Sequence, residues 1–192
     1  MRGCSRLLLA MVCGSLLTFA PGSAPAAEEK ADEHHIVLGE GGVELTFPEN
    51  WQRKPPENRI VEYEFAAPAS EGEKDPGRVT VMGAAGSIDA NIERWIGQFS
   101  QPDGGDTHKV AKIKESKIGG VDVHVVDISG TYKDNRGPFS GIPAVERPKY
   151  RMLAAIISGK KGNYFVKFYG GQQTVSDNEK AFQKMIDSLK VN

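Results

Sequence analysis

The sequence predicts an α+β domain, a mainly antiparallel twisted sheet with two amphipathic helices packed on it. Three observations carry that reading. Several short segments alternate apolar and polar residues and are joined by glycine-rich turns, the mark of antiparallel hairpins. Two segments repeat apolar residues at helical spacing. They lie between and after the strands, which suits a sheet with helices laid on it. The chain has 192 residues, 39% hydrophobic and 26% charged, which excludes disorder over most of its length. Twenty-four Lys and Arg against 25 Asp and Glu give a net charge of −1. A nucleic-acid binder would carry a basic excess.

Residues 1–27 read as a secretory signal peptide. Arg2 and Arg6 form the basic start, Leu7 to Phe19 the apolar stretch, and Ala24-Pro25-Ala26 a cleavage signal near Ala26 or Ala27. The stretch is shorter than a membrane span, and no later segment is long and apolar enough for one. Both cysteines, Cys4 and Cys13, lie within it. The exported chain therefore forms no disulfide and relies on its core. Cys13 is followed by Leu16 and Leu17, a poor context for a lipid anchor. Removing these residues takes two arginines and no acid, so the charge moves from −1 to −3. The expected location is the periplasm or the exterior. Residues 28–41 read as a flexible leader, and residues 42–192 as one domain.

Val43, Leu45 and Phe47 alternate with Glu44 and Thr46, a half-buried strand that Pro48 ends before Trp51. Arg59 to Ala67 reads as a second strand, with Val61, Tyr63 and Phe65 on one face and Glu62 and Glu64 on the other. Arg78 to Ala84 is a third, after the turn at Asp75-Pro76-Gly77. Ser87 is a candidate N-cap for a helix whose stripe is Ile88, Ile92, Trp95, Ile96 and Phe99. Lys109 to Ile118 and Val121 to Tyr132 flank Gly119-Gly120, a tight hairpin signal. The lysines at 109, 112, 114 and 117 suit an edge strand. Asp134 to Lys149 holds Pro138, Pro143 and Pro148 and reads as a long loop. Tyr150 to Ser158 and Asn163 to Gly170 form a last hairpin, and the unbroken apolar run Met152 to Ile157 marks a strand covered on both faces. Ser176-Asp177-Asn178-Glu179 matches a capping box for a helix with Phe182, Met185, Ile186 and Leu189 on one face.

This layout resembles the PsbP-like family. The resemblance rests on Val43-Glu44-Leu45-Thr46-Phe47-Pro48-Glu49-Asn50-Trp51, on the helix from Ser87 to Phe99, and on Phe182 to Leu189 with its ending Ile186-Asp187-Ser188-Leu189. That family is named for the extrinsic P subunit of photosystem II. It includes a fungal Ran-GTPase-binding import factor and many exported bacterial proteins. The resemblance implies an α/β/α sandwich and an accessory or partner-binding role. None of the family's functional motifs is matched, so it implies no site residue.

The chemical candidates are sparse. Asp32-Glu33-His34-His35 places metal-ligand types side by side without a preset geometry. Asp103 and Asp106 bracket Gly104-Gly105, with His108 beyond, but lack calcium-loop spacing. His124 and Asp122 share a strand face, as a general base with its partner would, yet no nucleophile motif accompanies them. Gly137-Pro138-Phe139-Ser140-Gly141 lacks the spacing of a nucleophile elbow. No cofactor and no metal site are expected. The segment from Lys133 to Arg151 stands out: five basic residues against two acidic ones give +3 in a negatively charged chain. Tyr132, Lys133, Arg136, Phe139, Arg147, Lys149 and Arg151 make a basic–aromatic set of the kind that anchors interfaces. The expectation is a monomeric, non-catalytic accessory module that binds a protein or cell-envelope partner there, with no nucleic acid and no membrane span. The alternatives are a carrier of a small anion or metal beside the same loop, and a hydrolase using His124.

Overall fold

A computed structural model describes residues 33–39, 42–135, 143–160 and 162–191. The expected signal peptide, both cysteines, Arg136 and Phe139 lie outside the described residues. In chain order the elements are β1 (His35–Leu38), β2 (Val43–Thr46), β3 (Gln52–Lys54), β4 (Tyr63–Ala67), β5 (Gly77–Ala84), α1 (Ile88–Ile96), β6 (Phe99–Ser100), a 3-10 turn (Thr107–Lys109), β7 (Lys112–Ile118), β8 (Val121–Asp134), β9 (Val145–Gly159), β10 (Gly162–Gly171), α2 (Gln172–Asp177), α3 (Glu179–Asp187) and β11 (Lys190–Val191).

Eight strands form one sheet. Its order is β3-β4-β5-β10-β9-β8-β6, with β7 also pairing β8, and every paired neighbour is antiparallel. A small sheet, β1-β2-β11, stands apart. The fold is α+β, as the pattern predicts. Period-two alternation splits the central strands between two cores. Leu153, Ala155 and Ile157 of β9, with Val166 and Phe168 of β10, pack with the small sheet, Trp51, Val175 and α3. Met152, Ala154 and Ile156, with Phe165, pack with α1 through Ile92, Trp95 and Ile96. The continuous run of β9 is thus buried on both sides.

Local signals hold where the chemistry is local. Gly119 and Gly120 take φ of 58° and 84°, the left-handed pair that a two-residue hairpin needs. The Ser87 hydroxyl accepts from the Ala90 N–H at 3.2 Å and caps α1. Lys112, Lys114 and Lys117 are exposed on β7, which pairs only β8, whereas Lys109 falls in the 3-10 turn.

Five expectations are corrected. The domain starts before residue 42: Ile36 and Leu38 alternate into the core, so β1 pairs β2 within the expected leader. The second strand covers only Tyr63–Ala67, and its Glu64 is buried because Arg78 meets it. Phe99 belongs to β6, outside the helix. Ser176 does not cap a helix, because α2 has already started at Gln172. The Glu73 carboxylate accepts from the Gln173 and Thr174 N–H groups at 3.1 and 2.8 Å, a cap supplied from another loop. The chain bends instead at Asn178, whose amide oxygen accepts from the Trp51 indole at 3.0 Å.

The fifth concerns the expected loop from 134 to 149. Most of its described residues are strand: β8 runs to Asp134 and β9 begins at Val145. Pro148 is tolerated because the ladder steps there. Gly130 pairs Tyr150 and Tyr132 pairs Arg147, so β9 has one residue more than β8 between those pairs. Bulges accept proline because the missing N–H has no ladder partner to lose. Lys149, at φ 55°, completes the bulge.

Candidate functional site

The two long strands outrun their neighbour. β10 ends opposite Tyr150, so among the described residues only β8 pairs Val145–Arg147. Residues 143–149 are exposed apart from half-buried Arg147. A cleft of about 250 Å³ opens beside this end, lined by Glu73, Lys74, Asp75, Pro148, Lys149, Tyr150 and Gly171.

The hairpin end also curls back over the α1 side of the sheet. Lys167 of β10 lies opposite Ala154 of β9, and Ala154 opposite Val126 of β8. Tyr132 is six residues further along β8, about 20 Å in a flat strand. Yet Lys167 Nζ lies 3.3 Å from the Tyr132 hydroxyl, closer than two side chains can bridge across that span. The bulge, and Gly130 at φ 154°, bend the strand. A side chain at Gly130 would meet the Ser100 carbonyl at 2.7 Å, so the curl needs glycine there.

Beneath the curl is a cluster of cations and tyrosines. Lys167 Nζ donates to Gln98 Oε1 at 2.7 Å and lies 5.1 and 4.8 Å from the ring centres of Tyr132 and Tyr169. The Tyr132 ring is 5.2 Å from Tyr169 and nearly parallel to Tyr150 at 6.0 Å. Arg78 of β5 donates to the Tyr169 hydroxyl at 2.8 Å and holds Glu64 through two bonds of 2.8 and 2.9 Å. Burial would raise the Glu64 carboxyl, but Arg78 and the Glu57 N–H hold it below its ordinary range. Burial pushes Lys167 down to about 7, and Arg94 and Arg78 push the same way against Asp134. Burial raises the hydroxyls of Tyr132 and Tyr169.

The sequence candidates are only partly brought together. Lys133 and Lys149 are exposed at the hairpin end, and Arg147 joins them while bonded to Asp134 at 3.3 Å. Tyr132 is buried, part of the core and of the cluster. Arg151 points to the opposite face, where Asp127 and Glu179 hold it. Sequence reasoning missed Lys167, Arg78 and Gln98. One signal was available: Lys167 is the lone charge in Tyr164-Phe165-Val166-Lys167-Phe168-Tyr169, and it shares a strand face with Phe165 and Tyr169.

The other candidates sit in ordinary polar contacts. His124 faces Glu115 across the ladder at 3.6 Å, and Asp122 faces Lys117 at 2.9 Å. His108 is held between Asp106 and Glu93 at 2.9 and 2.8 Å, and these two carboxylates, Glu93 first, raise its pKa. Among the described residues no three His, Cys, Asp or Glu side chains come together as a metal centre, and no helix is long and apolar enough to cross a membrane.

No protein-family model matches the chain, and no curated protein matches it. Solved structures do show similarity. The solution structure of cyanobacterial PsbP (CyanoP) from Synechocystis sp. PCC 6803 aligns at 12% identity with a TM-score of 0.49, over 90% of this chain and 100% of that one. PA94, a Pseudomonas aeruginosa protein of unknown function, aligns at 14% identity and 0.45, over 80% and 93%. LpqN, involved in cell envelope biogenesis of Mycobacterium tuberculosis, aligns at 10% identity and 0.46, over 82% and 89%. A PsbP structure is thus among those the chain is similar to.

Proposed function

We propose that this protein is an exported, non-catalytic accessory module that docks a protein partner on the far end of the β8–β9 hairpin. The carrying observation is the edge of β9 at Val145–Arg147, which among the described residues is paired on one side only and is flanked by exposed Lys133 and Lys149. An exposed strand edge offers backbone groups to an incoming strand, and flanking lysines favour a partner with acidic side chains. The basic start and apolar stretch of residues 1–19 support export.

The test is site-specific photo-crosslinking in the native host, with the probe at Val145 and a control probe at exposed Lys180 of α3. The Val145 probe should capture a discrete partner that the Lys180 probe does not. Lys133→Glu with Lys149→Glu should lower that capture several-fold. Equal capture at both positions, or capture indifferent to the charge reversal, would refute the assignment.

A further inference from the structure

Neither the fold nor the exposed hairpin edge accounts for Lys167. An ammonium group has three N–H donors. Two are used, on Gln98 Oε1 and the Tyr132 hydroxyl. No carboxylate of the described residues lies within ion-pair distance of it, and residues 136–142 contain no acid. The charged groups facing it are Arg78 from β5, Arg94 from α1 and Asp134 from the end of β8. Asp134 is engaged by Arg147, and Arg78 by Glu64 and Glu57. The tyrosines facing it are Tyr132 and Tyr169, with Tyr150 beside them. Lys167, Gln98, Tyr150 and Tyr169 all keep part of their surface in solvent. A buried cation without a counter-charge is costly, and an anion supplied from outside would remove that cost.

We propose that this cluster binds a small monocarboxylate with an apolar body, its oxygens taking the remaining N–H of Lys167 and its body lying beside the rings of Tyr150 and Tyr169. One uncommitted cation matches one negative charge. A dianion would need the guanidinium of Arg78, which Glu64 already occupies through two bonds. The aromatic surroundings favour an apolar body over a hydrated ion. The cluster uses side chains beneath the hairpin, so the proposal stands or falls apart from the partner edge of β9.

The experiment is calorimetric titration of the exported chain with benzoate, and separately with inorganic phosphate, at about pH 6 and about pH 8. Benzoate should bind saturably and about tenfold more tightly at the lower pH, because the charged fraction of Lys167 falls about tenfold between them. Lys167→Met should abolish binding while a thermal melt shows it folded. Lys167→Arg should bind at both pH values with little difference between them. Benzoate that fails to saturate, or that binds Lys167→Met as well as the unmodified chain, overturns the proposal. Phosphate binding in place of benzoate overturns the monocarboxylate assignment.

Discussion

Two cations lie on opposite faces of the same sheet, and their surroundings could hardly differ more. Arg151 of β9 turns toward α2 and α3. It grips Asp127 through two bonds of 2.8 and 2.9 Å, Glu179 at 2.9 Å and the Ser176 hydroxyl at 3.1 Å. Lys167, one strand over on the α1 face, has an amide oxygen, a hydroxyl and two ring faces. A planar guanidinium with two carboxylates is a satisfied structural group. A lysine held by neutral groups alone keeps most of its desolvation cost. The lesson concerns where function can sit. Charge on the α2–α3 face is consumed by the fold. On the α1 face Arg78 is likewise held by Glu64 and Glu57, but Lys167 has no carboxylate among the described residues within ion-pair distance, and the apolar core there is also smaller.

The largest way to break this contrast is Arg151→Met. It removes a partner from a nearly buried ion pair and strands Asp127, so chemical denaturation should show a loss of about 3 kcal/mol. A loss near zero would mean that Arg151 is no more committed than Lys167. The next test uses pH. Lys167 has a folded value of about 7 against an ordinary 10.5. Between those values the unfolded chain holds a proton that the folded chain has lost, so stability should rise with pH. The slope should approach about 1 kcal/mol per pH unit above pH 7 and vanish in Lys167→Met. Above pH 10 the sign reverses, because the buried tyrosines, raised by burial, ionise first in the unfolded chain. Equal slopes in the two proteins would contradict the buried-lysine reading.

The sequence disclosed what adjacent residues decide. The apolar run of β9, the Gly119-Gly120 hairpin and the Ser87 cap each follow from a few neighbouring side chains, and each is where the pattern places it. What it concealed depends on residues far apart. The cap of α2 comes from Glu73, about a hundred positions away in the chain. The prolines near residue 145 argued for a loop because a bulge that absorbs Pro148 is visible only once Tyr132 is paired with Arg147. The candidate site divides in the same way. Lys133, Arg147 and Lys149 do gather at the hairpin end. Arg151 leaves them because the extra residue of the bulge between Arg147 and Tyr150 turns it to the opposite face. The Lys167 cluster draws on β5, α1, β8 and β10, and no local window contains it.

The smallest effect belongs to the bulge, on which the contrast depends geometrically. Lys149 sits at φ 55°, where a side chain costs energy and glycine does not. Part of that gain is offset by the extra freedom glycine has when unfolded. Lys149→Gly should therefore raise stability by about 0.5 kcal/mol, and Lys149→Val should lower it by about 1 kcal/mol, since a β-branched residue is least tolerant of positive φ. Both variants remove the same charge, so any difference between them reports the backbone and not the electrostatics. The valine variant should also loosen Tyr132 over Lys167 and lift the lysine toward its ordinary pKa, flattening the rise of stability with pH. If valine and glycine behave alike, the bulge is not what curls the hairpin over the sheet. The neutral surroundings of Lys167 would then need another cause.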